Sequence, residues 1–470
     1  MKKLSQIVFI LISVSATAQN SSQNVLSIDT FLTIVKKHHP LAMQANLKVK
    51  EGKAVLQNAR GQFDPELFTN VDQKNFSDQQ YFSILNAGIS IPTWLGLDFY
   101  SSYQNNTGLY LNAENNLPQD GIWQTGISLP IGQGLFFDQR RNMLQQAKVY
   151  KYATEAEQVL MLNKLLLNAG NAYWNWFASY NNNLILEDAY IVNQQRLNAV
   201  KASAEFGDRP FIDTLEAAIQ VQERLINLEQ GKLDFRNKTL SLSTFLWLNE
   251  NIPLEVNPET VPPDYSIVAT QNESFFIDLN TIDSISKLHP EVLIYTFQKD
   301  QLTYDKKWKQ EQLKPIINLN YNALSSYSET NSLSDYNLDN YKWGLTFAMP
   351  IFLRTERGAL QLAKLKIQSA TYDLQNKTNE VQNLIEASTN EYLTLQNQIK
   401  TYSQTVKYYE ALLSAENTMF FSGESSLFLV NTRETNTISA KIKLIDFISK
   451  YKKAFLAINY NLGILNDLTP

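Results

Sequence analysis

The chain has 470 residues, 41 Lys and Arg against 46 Asp and Glu, a formal net charge of −5 and no cysteine. This composition excludes a disulfide framework, a thiolate nucleophile and a Cys-based zinc site. The scattered charges form no basic stripe for nucleic acid, and no run of 18 apolar residues offers a transmembrane helix.

The amino terminus reads as an export signal. Lys2 and Lys3 precede an apolar run from Ile7 to Val14, and Ala16-Thr17-Ala18 supplies the small residues of a cleavage site. Segment 1–18 is therefore expected to be removed, and the mature chain to begin at Gln19. The run is too short to anchor the chain in a bilayer. Loss of Lys2 and Lys3 takes the formal charge from −5 to −7, and no cysteine is present at the cleavage point to carry a lipid.

His39-Pro40 and His289-Pro290 lie 250 positions apart (289 minus 39), and Pro65 and Pro315 repeat that offset. Among only three His and fourteen Pro, this spacing marks a tandem duplication. The expected organisation is a first repeat over 19–250, a linker over 251–280 containing Pro253, Pro258, Pro262 and Pro263, and a second repeat over 281–470. In each copy a helical stretch before Pro65 or Pro315 leads into strand-like alternation.

The alternation is clearest just before Pro130 and Pro350. Trp123, Thr125, Ile127 and Leu129 alternate with Gln124, Gly126 and Ser128, and Tyr341, Trp343, Leu345, Phe347 and Met349 with Lys342, Gly344, Thr346 and Ala348. The latter strand is expected to pair with Ile317, Leu319, Tyr321 and Ala323. Strands of about 9 to 11 residues with one apolar face suit a membrane-spanning barrel. The copies differ here: Pro65 to Pro130 spans 65 positions, against 35 from Pro315 to Pro350. The extra stretch alternates around Phe82 to Ile91 and Leu95 to Tyr103, with Asn105, Asn106, Asn112, Asn115 and Asn116 around a loop tip, so it implies an extra hairpin or a long surface loop.

No proline lies between Pro130 and Pro210 or between Pro350 and Pro470, so helices over Gln139 to Glu205 and Glu356 to Phe420 are expected to be continuous. At 1.5 Å per residue each would be on the order of 100 Å long. The 3, 4, 3, 4 spacing of Leu360, Ala363, Ile367, Ala370 and Leu374 calls for a partner helix. Phe206-Gly207-Asp208-Arg209-Pro210 and Phe421-Ser422-Gly423-Glu424-Ser425-Ser426 then read as helix stops followed by return helices.

Catalytic signals are weak. His38, His39 and His289 sit at equivalent starts of repeated elements with no carboxylate or cysteine cluster, and no phosphate loop or nucleophile elbow occurs. Tyr173, Trp174, Trp176 and Phe177 are expected to pack between helices rather than to stack a ligand. No enzyme activity, cofactor or metal is expected.

His39-Pro40 with Ala59-Arg60 and Pro65, Leu129-Pro130-Ile131, Met349-Pro350-Ile351, and Gly207 followed by Asp213, Leu215 and Ala217 occur in an order that resembles the TolC-like outer-membrane efflux proteins over nearly the whole mature chain. The resemblance implies a mixed α/β membrane protein: a homotrimeric β-barrel in outer-membrane lipid, continued by a long antiparallel α-helical barrel. It implies an exit duct of a tripartite efflux or type I secretion system in a Gram-negative cell, docked on a periplasmic adaptor (membrane fusion) protein and an inner-membrane transporter. Two strands per copy, four per chain, cannot close a barrel alone. Three chains would give twelve strands, or eighteen with an added hairpin. The alternative is a soluble periplasmic helical scaffold or adaptor, which gives no reason for membrane-length strand pairs.

The resemblance also places a constriction at the two glycine turns. Asp213 and Glu216 stand six and nine positions after Gly207 and are the candidate acidic aperture. The second copy has Leu429 and Thr432 at those positions, so contacts of Phe428 and Leu429 are the candidate gate there. Gly207, Asp208, Arg209, Gly423, Glu424 and Ser425 are the candidate adaptor contacts.

Overall fold

A computed structural model describes residues 24–248, 252–270, 281–326 and 339–468. Segment 1–18 lies outside them, as does part of the stretch 251–280. By its internal contacts the chain divides into two compact units. One, the wall unit, holds Lys36–Asn168, Phe275–Thr394 and Lys453–Pro470; the other, the hairpin unit, holds Met1–Val35, Ala169–Ser274 and Leu395–Lys452. Each draws on sequence from both sides of the stretch 251–280.

In the wall unit the two His-Pro pairs share one helix-start geometry. Helices α1 (Ile28–His38) and α2 (Pro40–Gly61) meet at His39, whose Nδ1 accepts the Leu41 N–H at 3.1 Å. After β-rich segments described below, α5 (Ile282–Leu288) and α6 (Pro290–Glu311) meet at His289, whose Nδ1 accepts the Glu291 N–H at 3.2 Å. Both caps are extended, at φ −68°, ψ 135° and φ −62°, ψ 135°, and proline follows each at the first helical position. There its missing N–H is one the helix start leaves unpaired anyway. Helices α2 and α6 both run 22 residues. The His-Pro pairs are thus helix starts, with imidazole in the capping role usually taken by Ser or Asp.

Six strands form one antiparallel sheet in this unit: β1 (Glu66–Phe76), β2 (Gln79–Pro92), β3 (Asp98–Thr107), β4 (Ile122–Pro130), β5 (Ile316–Ser326) and β6 (Tyr341–Ala348). Their lateral order is β6-β5-β4-β3-β2-β1. The expected pairing of β5 and β6 is present, in a register that sets Tyr341 opposite Ala323, Trp343 opposite Tyr321, Leu345 opposite Leu319 and Phe347 opposite Ile317. The extra stretch between Pro65 and Pro130 forms a hairpin and not a surface loop, and among the described residues it brings this sheet from the expected four strands to six. Asn105 and Asn106 end β3, while Asn112, Asn115 and Asn116 lie in the loop beyond. Strand β3 starts at Asp98 rather than near Leu95, because Gly96 takes a turn conformation at φ +88°.

The two faces of the sheet differ chemically. Ile91, Phe99, Ile127, Tyr321 and Trp343 lie side by side across five strands on one face. Trp343, Leu345 and Phe347 are each more than half exposed. The other face carries Asn70, Asn86 and Gln104 in one row and Tyr100, Gly126 and Asn322 in another. There Gln104 donates to Gln124 Oε1 at 3.0 Å, Gln124 to the Tyr100 hydroxyl at 3.2 Å, and Tyr100 to Asn322 Oδ1. Gly126 is required in this row, since a Cβ there would run into the Tyr321 carbonyl and the Asn322 side chain.

The long helices are continuous, as the absence of proline foretells. Helix α3 covers Gln139–Glu205 (67 residues) and α7 covers Arg354–Phe421 (68 residues). Their return partners are α4 (Phe211–Ser243) and α8 (Leu427–Asn461). Among the described residues no helix is long and apolar enough to cross a membrane.

In the hairpin unit the aromatic cluster of α3 packs as expected. Tyr173, Trp176 and Phe177 are fully buried, and the Tyr173 ring stacks on Phe31 at 5.7 Å while its hydroxyl donates to the Leu26 carbonyl at 2.7 Å. Burial pushes this hydroxyl's pKa upward, with a smaller contribution from the Asp29 charge.

Candidate functional site

The two glycine turns of the hairpin unit share one backbone geometry. Helix α3 closes on Gly207 at φ +80°, with the Gly207 N–H on Ala204 O at 3.1 Å and the Asp208 N–H on Ser203 O at 2.9 Å. Helix α7 closes on Gly423 at φ +79°, with the Gly423 N–H on Phe420 O at 3.2 Å and the Glu424 N–H on Met419 O at 2.9 Å. Both are left-handed closures that favour glycine for want of a Cβ. Each turn leads directly into a return helix, after Pro210 in one and Ser426 in the other.

Arg209 links the turns. Its Nη2 donates to the Phe420 carbonyl at 2.9 Å, its guanidinium lies 3.8 Å from the Phe420 ring centroid, and its Nη1 is 3.8 Å from Asp213 Oδ2. The cation thus sits at the carboxy-terminal end of α7, where unpaired carbonyls leave partial negative charge. Phe420 also belongs to a buried cluster with Leu197, Val200, Ala217, Val221, Leu427 and Val430, drawn from all four long helices. A cavity of about 440 Å³ lies between the turns, bordered by Arg196, Ser203, Arg209, Phe420, Gly423 and Ser425.

Each expected aperture residue has a definite position. Asp213 faces Arg209, and Glu216 accepts from Asn431 Nδ2 at 3.0 Å. Both acids are therefore engaged by their own chain. Phe428 is 65% exposed and Leu429 41%, while their neighbours Leu427 and Val430 are buried. Phe206, Phe211, Ile212 and Phe421 are also exposed around the turns. Of the turn residues, Ser425 bonds to Glu416, which also stands 3.6 Å from Arg433.

A buried ionic cluster just behind the turns was not anticipated from the sequence. Glu434 is 4% exposed and accepts Arg196 in a fork, Nη1 to Oε2 at 2.9 Å and Nη2 to Oε1 at 3.2 Å. Asn193 Nδ2 donates to the same carboxylate at 2.9 Å, and Arg224 Nη2 stands 4.0 Å away while donating to Thr435 Oγ1 at 2.7 Å. The cluster joins α3, α4 and α8. Its signal lay in the position of Glu434, seven residues after Leu427 and four after Val430, on the buried stripe of α8.

Among the described residues no group of three or more His, Asp or Glu is placed to hold a metal ion. The two turns and the buried cluster behind them form one arrangement. It consists of helix ends held together by ionic and apolar contacts, beside exposed aromatic side chains.

Residues 282–463 match the family model described as Outer membrane efflux protein. No curated relative matches the sequence. Several solved structures share the fold. The open state of the MtrE outer membrane channel of Neisseria gonorrhoeae aligns with a TM-score of 0.67 at 14% identity, covering 93% of this chain and 89% of that one. The CmeC outer membrane channel of Campylobacter jejuni aligns with a TM-score of 0.65 at 14% identity, over 93% and 86% of the two chains. The outer membrane protein VceC of Vibrio cholerae aligns with a TM-score of 0.63 at 14% identity, over 93% and 96%. The resemblance to the outer-membrane efflux proteins thus holds in sequence over residues 282–463 and in fold over nearly the whole chain.

Proposed function

We propose that the chain is the exit duct of a tripartite efflux or type I secretion system, passing substrates from an inner-membrane pump across the periplasm and outer membrane of a Gram-negative cell. Three copies share one barrel, after export by the segment 1–18 and without an amino-terminal lipid. The observation that carries this reading is the six-stranded sheet, with one apolar exposed face and, among the described residues, an open outer edge on either side. Exposed apolar sheet and open edges are unstable in water, and open edges are excluded from lipid unless the sheet closes on itself. A soluble scaffold or adaptor leaves both features unexplained.

Within this reading the turns form the periplasmic end. Asp213 and Glu216 contribute an acidic aperture, Phe428 and Leu429 the apolar contacts of the second copy, and Gly207, Asp208, Arg209, Gly423, Glu424 and Ser425 the surface offered to the adaptor. The repeats, 19–250 and 281–470 joined by 251–280, are its two half-channels. The decisive experiment is fractionation with planar-bilayer recording. An outer-membrane trimer that conducts ions is expected; a soluble periplasmic monomer refutes the proposal. For the aperture, Asp213→Ala with Glu216→Ala should raise single-channel conductance and weaken block by cations. Unchanged conductance and block would remove the acidic aperture while leaving the duct intact.

A further inference from the structure

The hairpin β2–β3, which the second copy lacks, is built into the sheet from one end to the other. At the helix-proximal end, its turn is held by Asp98, 2.8 Å from Arg140 Nη2 at the start of α3. Arg141 closes over Gly96 of the same turn and donates to the Leu135 carbonyl at 3.0 Å. Along its length β2 pairs with β1 from Ser90 to Gln79 and with β3 from Ser83 to Pro92, and β3 pairs with β4 from Asp98 to Gln104.

Both faces of the insertion continue those of the other strands. Ile91 and Phe99 extend the apolar row, and Asn86, Ser102 and Gln104 extend the polar one. Its ends carry aromatic rings of the kind enriched where a bilayer meets water. Trp94 is exposed in the helix-proximal turn. At the far end the Tyr81 ring lies 6.0 Å from Phe76 and 4.7 Å from Tyr110. A surface loop folded back on a barrel would have no need of this two-faced, doubly girdled construction.

The edges restrict how copies can join. Strand β1 runs away from the helices and β6 runs back toward them, so β1 of one copy meets β6 of the next as an antiparallel pair, and the same pairing repeats around a ring. Side-chain parity narrows the register further. Keeping the apolar face unbroken requires Leu67, Thr69 or Val71 to stand beside Tyr341, Trp343, Leu345 or Phe347.

We infer that the insertion is a full part of the channel wall and that copies join edge to edge through β1 and β6. Six strands from each of three copies then give a barrel of eighteen. Barrel diameter grows roughly linearly with strand number, so this lumen is about 1.5 times as wide as that of a twelve-stranded barrel from two hairpins per chain. Its lining carries the amides and hydroxyls of Asn70, Asn86, Tyr100, Gln104, Gln124 and Asn322, together with the charges of Asp72 and Lys342. The inference rests on the exit-duct reading above.

The absence of cysteine makes disulfide mapping clean. Val71→Cys is combined in turn with Trp343→Cys, Leu345→Cys and Phe347→Cys in the full chain and oxidised in outer-membrane vesicles. Leu67→Cys with Ile89→Cys, opposite each other on β1 and β2, serves as the intrachain control. A covalent ladder ending at the trimer is expected for at least one β1–β6 combination, with monomer-only closure for the control. If trimers form but no β6 position links copies, or if Val71→Cys closes instead on Ile127→Cys of its own β4, the insertion lies outside the wall and this inference fails while the duct stands. A soluble monomer overturns both.

Discussion

Replacing Glu434 with Ala tests whether the helix ends are held by charge. The carboxylate is buried with three partners: the Arg196 fork at 2.9 and 3.2 Å, Asn193 at 2.9 Å, and Arg224 at 4.0 Å. Removing it leaves two guanidiniums with 10% and 6% of their side chains exposed and no anion between them. Breaking a buried pair from one side costs about 3–5 kcal/mol, because the surviving charge stays desolvated. That is a rise of roughly 10²- to 10³-fold or more in local opening. Limited proteolysis of the folded protein reads this directly, since cleavage at the turns follows the population of the open form when closing is fast. The double variant Arg196→Met with Glu434→Leu should recover most of the loss, because an apolar pair of similar size is often neutral to a buried ion pair. A single variant costing under about 1 kcal/mol would show the pair to be screened as a surface bridge is, refuting the reasoning.

Three further outcomes follow from the geometry. Arg209→Ala should loosen the second turn by about 1–2 kcal/mol through loss of a charged hydrogen bond to Phe420 O and the ring contact; hydrogen exchange at residues 419–424 should quicken, and Lys should not restore it. In the trimeric barrel proposed above, Leu345→Arg on the apolar face should cost about 2–4 kcal/mol and reduce trimer recovery, whereas Thr346→Arg on the polar face should leave assembly intact and alter ion selectivity. Burial holds the His289 imidazole below its ordinary pKa, opposed by the bond to the Tyr460 carbonyl. The unfolded residue takes up a proton near pH 6.5 and the folded one only lower, so its contribution is complete above about pH 6.5 and falls away as pH drops toward the folded value. Denaturation midpoints compared at pH 7.5 and 5.5 should fall less in His289→Asn, which still offers a capping oxygen without titrating.

Much of this fold was legible because local rules and tertiary structure agree. The two matching helix starts were readable because each His-Pro pair does a local job, capping a helix. The long helices showed in the absence of proline, and the β5–β6 pairing in strict alternation. The fate of the insertion was not legible. Alternation identifies a strand, but its neighbours depend on partners such as Arg140 that alternation does not encode. Nor was the Arg196, Arg224 and Glu434 cluster, whose members stand on three helices and meet only once both hairpins have packed. The resemblance singles out Asp213 and Glu216 by their position after a glycine, while their engagement by Arg209 and Asn431 belongs to tertiary structure alone.

The two turns close at φ +80° and +79° with the same pair of backbone bonds, yet one offers Asp208 and Arg209 where the other offers Glu424 and Ser425. In the trimer proposed above, a visiting protein would meet six loops of one backbone shape in two alternating chemistries. A partner that reads shape sees sixfold symmetry, and one that reads charge sees threefold. Binding sites on such a rim would therefore fall into two classes of unequal affinity, filling in succession as the partner's concentration rises.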